Sequence, residues 1–235
     1  MAALYIIGTP IGNLGDISFR AAEILKSAGL VACEDTRRTL KLLNHLGIKV
    51  KTLSCRSQNE EFAAKKIIAV LDRVVTVAYA SDAGTPALSD PGATLVRMAV
   101  AAGHDVIPVP GPSAFAALVS VSGGAGKTVV FEGFLSPKPG RRRSRLRELL
   151  AMKAAVVLYE SPFRIVKLLE DIAEIDKTRY TCIGREMTKV HEEYIRGTAE
   201  DVLSRLTGGK EQIGEFSVFI AGNYSVNKTD ETADN

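Results

Sequence analysis

Short apolar runs alternate with amphipathic patterns along the first half of the chain. Runs rich in β-branched residues predict five strands, at residues 4–7, 30–33, 50–53, 74–80 and 106–109. Apolar positions at helical spacing predict the intervening helices, at residues 17–28, 39–46, 60–71, 93–102 and 113–121. Asp16 is the expected N-cap of the first helix. The run at 74–80 is continuously apolar, which is typical of a strand buried on both faces. The first half therefore predicts a parallel sheet covered by helices.

The pattern changes after a glycine-rich linker at residues 123–126. The second half predicts strands at 129–131, 155–159, 180–185, 191–195 and 216–221, and helices at 144–152, 164–175 and 199–206. The strands at 180–185 and 191–195 follow each other without a helix between them, which indicates a mixed sheet. We therefore expect an α/β fold of two lobes, with a mostly parallel sheet in residues 1–122, a mixed sheet in 127–222, and a polar tail at 223–235.

Composition narrows the class of protein further. The chain has 235 residues, of which 46% are hydrophobic and 24% charged, as in ordinary globular proteins. Its three cysteines include no C-x-x-C pair, which favours a reducing compartment. The apolar start is too short for a signal peptide, and no stretch is long enough to span a membrane. These features predict a cytoplasmic protein without a membrane partner.

Four of the predicted strands of the first half end in loops of glycine, proline, hydroxyl and carboxylate residues. The loops are residues 8–16, 34–37, 81–92 and 110–114. Glycine permits close approach of a ligand to the backbone, and proline keeps a loop rigid. One such loop is most often a plain turn. Four of them at the carboxyl ends of parallel strands predict a shared ligand site.

Several common ligand motifs are absent from these loops. Gly8, Gly12 and Gly15 have the wrong spacing for a dinucleotide fingerprint. Residues 124–128 end like a P-loop, but Val121 stands where its first glycine belongs, and a strand follows instead of a helix. The three histidines are far apart, so we expect no metal site.

The loops occur together with three further motifs in a fixed order. The full set reads Gly8-Thr9-Pro10-Ile11-Gly12-Asn13-Leu14-Gly15-Asp16, Glu34-Asp35-Thr36-Arg37, Ser81-Asp82-Ala83-Gly84-Thr85-Pro86, Ser89-Asp90-Pro91-Gly92, Pro110-Gly111-Pro112-Ser113-Ala114, Phe131-Glu132-Gly133-Phe134, Tyr159-Glu160-Ser161-Pro162 and Arg185-Glu186-Met187-Thr188-Lys189. This set resembles the ribosomal RNA branch of the tetrapyrrole-methylase (class III) methyltransferase family, from about residue 4 to residue 222. The chain departs from that family at Ser54–Asn59, where relatives usually have a histidine-rich stretch, and at Phe163, where they usually have histidine.

The resemblance implies a fold, a cofactor and a reaction. It implies S-adenosylmethionine in a cleft between the lobes, a homodimer, and methylation of the 2′-hydroxyl of a decoding-centre cytidine in the 16S rRNA of the small ribosomal subunit. Carried over by position, the cofactor-binding residues are Pro10, Ile11, Asp82, Ala83, Gly84, Thr85, Ser113, Ala114, Tyr159, Glu160 and Ser161.

Two groups of charged residues suit that reaction. Glu34, Asp35 and Arg37 follow a strand end and are the catalytic candidates, since a carboxylate or a cation would assist deprotonation of a weakly acidic hydroxyl. Their alternative role is helix capping with a local ion pair. The second group is a basic run after Pro137 that favours phosphate contact over a solvated helix face. It comprises Lys138, Arg141, Arg142, Arg143 and Arg145, followed by Arg147.

Two other functions are compatible with the same residues. A C-methyltransferase acting on a tetrapyrrole would share the fold, and its acidic substrate would also suit the arginines. A non-catalytic RNA-binding factor of ribosome assembly could retain a nucleotide-like pocket.

Overall fold

The computed structural model describes residues 2–208 and 212–223. The predicted polar tail lies outside the described residues from position 224 onward. The chain divides into two compact units. The first runs to Ala117 and also includes Met187–Val190, and the second contains Leu118–Glu186 and the chain from His191.

The first unit is built on a parallel sheet. Its strands are β1 (Leu4–Ile7), β2 (Leu30–Cys33), β3 (Thr52–Ser54), β4 (Val77–Ala80) and β5 (Val106–Val109). They lie in the order β3-β2-β4-β1-β5, and every neighbouring pair is parallel. The helices are α1 (Phe19–Ser27), α2 (Thr36–His45), α3 (Glu60–Leu71), α4 (Ala93–Ala101) and α5 (Ala114–Ser122), the last of which crosses the boundary between the units.

Alternation of side chains along β4 explains why both faces of this sheet are covered. Val77 and Tyr79 are fully buried in a cluster with residues of α3 and α4. Ala78 points the other way and is buried in a second cluster with residues of α1 and α2. A parallel sheet with two apolar faces requires helices on both sides.

Two local predictions in this unit were wrong. The strand predicted at 74–80 begins only at Val77, because Val74 has a positive φ of 60° in an exposed turn after α3. Asp16 is not the N-cap of α1, since it lies in a short 3₁₀ turn. Ser18 caps the helix instead, and its hydroxyl accepts the Ala21 N–H at 3.1 Å.

The second unit contains a mixed sheet with its helices packed on one face. Its strands are β6 (Val129–Phe134), β7 (Ala155–Glu160), β8 (Tyr180–Arg185), β9 (Glu193–Thr198) and β10 (Phe216–Ile220). Their order is β6-β7-β10-β8-β9, with only β6 and β7 parallel. The helices are α6 (Pro139–Ala151), α7 (Ile165–Asp176) and α8 (Ala199–Thr207). The predicted α/β fold, with a parallel first sheet and a mixed second sheet, is confirmed.

Helix boundaries in this unit follow their capping residues. Thr198 caps α8 in a reciprocal capping box with Asp201. Helix α6 begins at Pro139, five residues before the predicted start at 144, because proline is favourable in the first turn of a helix. Most of the basic run therefore lies on a helix. None of the helices in residues 2–208 and 212–223 has the length and apolar composition needed to cross a membrane.

Candidate active site

The loops of the first unit meet at the carboxyl edge of its parallel sheet. The loop after β1 pairs with the loop after β4 through two backbone hydrogen bonds. Thr9 N–H donates to the Gly84 carbonyl at 2.9 Å, and Gly84 N–H donates to the Thr9 carbonyl at 3.0 Å. β1 and β4 are parallel neighbours in the sheet, and this isolated antiparallel bridge joins the loops that follow them at the predicted ligand site.

The loop after β5 packs on the loop after β1 through two glycines. A Cβ on Gly8 would lie 2.8 Å from the Gly111 Cα, and one on Gly111 would lie 2.4 Å from the Gly8 carbonyl oxygen. Both contacts are with backbone atoms, which cannot rotate away. Glycine is therefore required at both positions for the backbones to approach this closely.

Several residues predicted to bind the cofactor lie together here. A Cβ on Gly84, which has a positive φ of 77°, would be 3.4 Å from Ile11 Cγ2. The Thr85 hydroxyl donates to the Pro112 carbonyl at 3.4 Å. The following Ser113 accepts the Ala117 N–H at 2.9 Å in the first turn of α5, next to Ala114. The loops thus form a backbone-lined surface at one edge of the sheet.

The carboxylates of the loops after β2 and β4 are hydrogen-bonded to each other's backbone. Asp35 N–H donates to Asp82 Oδ1 at 2.8 Å, and Asp82 N–H donates to Glu34 Oε2 at 3.4 Å. The pKa of Glu34 is raised, chiefly by burial and then by the charge of Asp82. Burial, followed by the charges of Glu34 and Asp82, raises the pKa of Asp90 to about 6. Charge is therefore concentrated where these loops meet.

Asp35 and Arg37 interact mainly with each other. Asp35 Oδ1 accepts the Arg37 N–H at 2.9 Å and thereby caps α2, and Arg37 Nη2 lies 2.7 Å from Asp35 Oδ2. These hydrogen bonds from Arg37 hold the pKa of Asp35 well below its usual range. The arrangement is the helix cap and ion pair that the sequence left open as an alternative. Of the three predicted catalytic residues, Glu34 is the one whose carboxylate has a raised pKa.

A polar cavity of about 530 Å³ opens beside these carboxylates. Its walls are the loops after β2, β3 and β4, and they contribute Glu34, Asp35, Ser54, Arg56, Ser57, Gln58, Asn59 and Asp82. Arg56 Nε donates to the Glu34 carbonyl at 3.2 Å. The cavity therefore includes all of the Ser54–Asn59 stretch except the buried Cys55.

Sequence reasoning missed three residues of this site. Arg38 lies 3.5 Å from Asp82, and Arg56 lines the cavity. Glu60 Oε1 accepts N–H groups from the start of α4, those of Gly92 at 3.0 Å, Thr94 at 2.8 Å and Leu95 at 3.0 Å. Arg38 could have been noticed as the neighbour of a candidate. The contact between Glu60 and α4 has no sequence signal, because it joins two helices that are distant along the chain.

A segment from late in the sequence also belongs to the first unit. Within Met187–Val190, Lys189 and Thr188 lie against Gly12. A Cβ on Gly12 would come within 2.5 Å of Lys189 Cγ and 2.7 Å of Thr188 Oγ1. Lys189 therefore joins the loop after β1, whereas Glu186 of the same motif lies in the second unit.

The remaining predicted cofactor residues lie at the end of β7 in the second unit. Tyr159 makes an edge-to-face contact with Phe131, with ring centroids 4.9 Å apart. Glu160 Oε1 accepts the Ser161 N–H at 2.8 Å and also pairs with Arg164. Its Oε2 is buried and has no hydrogen-bond partner within the described residues. A buried acceptor without a donor fits a ligand that carries an amine or hydroxyl group.

The arginines of α6 divide into two groups. Arg142 is only 5% exposed, and its Nε donates to Asp171 at 2.6 Å. Arg143 also contacts Asp171, and Arg145 pairs with Glu132. Three predicted RNA-binding residues are thus held by carboxylates of their own unit. The other cations of the run are exposed and form no ion pair within the described residues: Lys138, Arg141 and Arg147.

The two sheets and the loops at the edge of the first define the class of protein. The chain belongs to the family of tetrapyrrole (corrin/porphyrin) methylases, whose model matches residues 3–203. The methyl donor of this family is S-adenosylmethionine. The glycine-lined edge of the first sheet is compatible with such a ligand.

Within this family, the resemblance to the ribosomal RNA branch is confirmed. The chain is 43% identical over 219 residues to ribosomal RNA small subunit methyltransferase I of Borrelia garinii subsp. bavariensis. The match covers 93% of this chain and 98% of that protein. It is also 43% identical over 222 residues to the protein of the same name from Thermotoga maritima, covering 94% of this chain and 99% of the relative.

Solved structures of tetrapyrrole enzymes share the fold. A cobalt precorrin-4 methyltransferase superposes with a TM-score of 0.67 at 17% identity, covering 93% of this chain and 94% of that one. Uroporphyrin-III-C-methyltransferase from Thermus thermophilus gives a TM-score of 0.66, also at 17% identity, over 94% of each chain. At this level of identity, the likeness establishes the fold alone.

Proposed function

We propose that this protein methylates the 2′-hydroxyl of a cytidine ribose in the 16S rRNA of the small ribosomal subunit. The names of its relatives support an RNA substrate. Since a substrate of this kind is met in the cytoplasm, we propose that the protein acts there. The observation that carries the proposal is the position of Glu34, whose half-buried carboxylate has a raised pKa and lies beside the glycine-lined loops.

The residues of the first unit have distinct roles in this reaction. S-adenosylmethionine, when bound, would supply a methyl group on a positively charged sulfur, and that sulfur is a good leaving group because it departs as part of a neutral thioether. The bridge between Thr9 and Gly84 and the contact between Gly8 and Gly111 keep the loops rigid, so that donor and acceptor can be aligned. Glu34 accepts the proton as the ribose oxygen forms its bond to the methyl carbon. Asp82 orients Glu34 through its backbone N–H.

The second unit contributes contacts to RNA phosphates. Lys138, Arg141 and Arg147 are exposed on or next to α6, and their charges are not neutralised by ion pairs within the described residues. Phosphate contacts of this kind position an RNA without selecting a base. Ordered pairing of Arg142, Arg143 and Arg145 supports the proposal indirectly, since it keeps α6 in place. The homodimer implied by the resemblance stays a prediction.

The test uses labelled S-adenosylmethionine and small ribosomal subunits that lack this methylation. After nuclease digestion, the label is expected in a 2′-O-methylated cytidine. Glu34→Gln should lower kcat at least about tenfold, while the Kd of the cofactor stays unchanged. Label on another nucleotide or atom would show that the site of methylation is different. Transfer to uroporphyrinogen but not to RNA would favour the tetrapyrrole reaction instead. Cofactor binding without transfer to either substrate would support a binding factor.

A further inference from the structure

The cavity beside Glu34 differs from the surface assigned to the cofactor. Apart from Asp82, the described residues that line it are not among those predicted to contact S-adenosylmethionine. Its volume of about 530 Å³ lies within the range of small-ligand pockets. Through Asp82, which belongs to the same loop as Gly84, the cavity adjoins the cofactor loops. A second ligand in the cavity would therefore lie next to the methyl donor.

Charges in and around the cavity are arranged by depth. The carboxylates of Asp35 and Asp82 are only 17% and 22% exposed, whereas the guanidinium-bearing side chains of Arg37 and Arg38 are 84% and 60% exposed. Arg56 is also exposed. The guanidinium groups are therefore more exposed to solvent than the carboxylates: Arg56 lines the cavity, and Arg37 and Arg38 are paired with its carboxylates Asp35 and Asp82. Three carboxylates line the cavity, those of Glu34, Asp35 and Asp82, and the charges of Asp35 and Asp82 are offset by their ion pairs with Arg37 and Arg38.

Two of these arginines retain donors for a ligand. Arg38 contacts Asp82 through Nε at 3.5 Å, and Arg56 donates Nε to the Glu34 carbonyl at 3.2 Å. A guanidinium has five N–H donors, so each of these side chains is oriented by one contact and keeps its terminal nitrogens for another. Arginine held in this way is well suited to phosphate oxygens.

We propose that this cavity binds the nucleotide that is methylated, with Arg38 and Arg56 on its flanking phosphates and its ribose facing Glu34. The proposal rests on the proposed function and identifies the substrate pocket of that reaction. Phosphates are the outer, anionic part of a nucleotide in an RNA chain, and the ribose hydroxyl is a neutral donor that a carboxylate accepts. The exposed Ser57 and Gln58 offer a hydroxyl and an amide to the rest of the nucleotide.

The first experiment compares Arg38→Ala and Arg56→Ala with the wild type in methylation of unmethylated small subunits. Each variant should raise KM for the subunit roughly tenfold and reduce the salt dependence of KM by about one phosphate contact. The value of kcat and the Kd of the cofactor should stay within about twofold of the wild type. Arg56→Lys should recover part of the loss, because it keeps the charge.

The matched control is Arg73→Ala. Arg56 lies just before α3, and Arg73 is an exposed cation just after the C-terminal end of the same helix. It should leave KM unchanged. Thermal unfolding of every variant separates a lost contact from a lost fold. If KM is unchanged in both Arg38→Ala and Arg56→Ala, the cavity does not bind the nucleotide. The same conclusion follows if the variants lose as much affinity for the cofactor as for RNA.

A binding measurement keeps the pocket testable if no methyl transfer is seen. Cytidine 5′-monophosphate, titrated into the protein in the presence of S-adenosylhomocysteine, should bind with a Kd of roughly millimolar strength. Arg56→Ala should weaken that binding, and Arg73→Ala should not. Binding that depends on Arg56 without transfer to RNA would reject the proposed reaction and keep the pocket. Transfer to RNA that does not depend on Arg38 or Arg56 would support the proposed reaction and reject the pocket.

Discussion

At the scale of single residues, the folded structure makes ionisation of the Asp90 carboxyl group less favourable than it is in the unfolded chain. Burial and the nearby charges of Glu34 and Asp82 raise its pKa to about 6, and a hydrogen bond with Ser81 opposes the shift. The unfolded chain releases the same proton near pH 4. Between about pH 4 and 6 the folded protein therefore binds more protons than the unfolded chain. Its free energy of unfolding falls as the pH rises through this window.

Asp90→Asn removes this penalty. At pH 7 the substitution is expected to raise the free energy of unfolding by about 1–2 kcal/mol, and below pH 4 it should have little effect. Urea unfolding at the two pH values measures the difference. The exposed Asp105→Asn is the control and should change little at either pH. An equal effect of Asp90→Asn at both pH values would show that the charge of Asp90 is not the cause.

Substitution by alanine should destabilise the protein at Gly8 and stabilise it at Gly140. Gly8→Ala places a Cβ 2.8 Å from backbone atoms of Gly111, and we expect it to cost about 1–3 kcal/mol and to weaken cofactor binding. A Cβ on Gly140, in α6, would meet nothing within 4 Å among the described residues beyond its chain neighbours and the backbone of its own helix. Gly140→Ala should therefore stabilise the protein by about 0.5–1 kcal/mol through helix propensity. Thermal unfolding and cofactor titration of both variants check the pair.

At the scale of elements, one carboxylate fixes the start of α4. Its N-cap is Gly92, which has no side chain to accept a hydrogen bond. Glu60, the first residue of α3, supplies the missing acceptor to three N–H groups. The loop that carries Asp82 and Asp90 thereby ends at a fixed point. Helix capping from another helix thus contributes directly to the geometry of the site.

Substitution of Glu60 should destabilise the protein more than substitution of a nearby exposed glutamate. Glu60→Ala is expected to lower the free energy of unfolding by about 1–2 kcal/mol, and Glu60→Gln should lower it less, because it keeps an acceptor. Glu61→Ala, which removes only an exposed ion pair with Lys65, should cost less than about 0.5 kcal/mol. Equal losses in Glu60→Ala and Glu61→Ala, measured by urea unfolding, would rule out the cap as a stabilising contact.

Helices α6 and α7 are joined by a buried ion pair. Asp171 is 2% exposed and lies between Arg142 and Arg143. Asp171→Ala leaves the buried Arg142 guanidinium without its partner, so we expect a loss of about 3–5 kcal/mol. Glu174→Ala removes an exposed partner of Arg143 and should cost less than about 1 kcal/mol. Chemical unfolding of the two variants measures the contrast, and similar losses would argue against a role for burial.

At the scale of the whole molecule, the net charge of +3 conceals an uneven distribution. Much of the basic run on α6 is neutralised by Glu132, Glu148 and Asp171. Among the described residues of the run, the exposed cations without an ion pair are the ones that extend the positive field toward solvent. The contribution to RNA binding that we propose for α6 is therefore smaller than the sequence alone indicates.

Combined replacement of Lys138, Arg141 and Arg147 by glutamine should weaken binding of small subunits without changing stability. The expected signature is a salt dependence of Kd that is shallower by about three phosphate contacts, with an unchanged thermal midpoint. Arg145→Gln breaks the pair with Glu132 and should lower the midpoint instead. Salt titrations of subunit binding and thermal scans distinguish the two results. A full salt slope in the triple variant would exclude this surface from the interface.

The sequence by itself determined the two-lobed α/β fold and the loops that form the candidate site. These follow from local patterns: apolar periodicity distinguishes strands from helices, and glycine and proline mark the loops at strand ends. Because parallel strands have their carboxyl ends at one edge, the pattern also predicted that Thr9, Asp82 and Gly111 would lie near each other.

Only the tertiary structure decided which charged groups are available in that site. Asp35 and Arg37 pair with each other, Arg142 is buried against Asp171, and Arg56 borders the cavity beside Glu34. The placement of Met187–Val190 in the first unit also has no local signal. A charged residue looks the same in sequence whether it is paired, buried or exposed. Its partner is chosen by packing between segments that are distant along the chain, and that packing sets burial, pKa and access to a ligand.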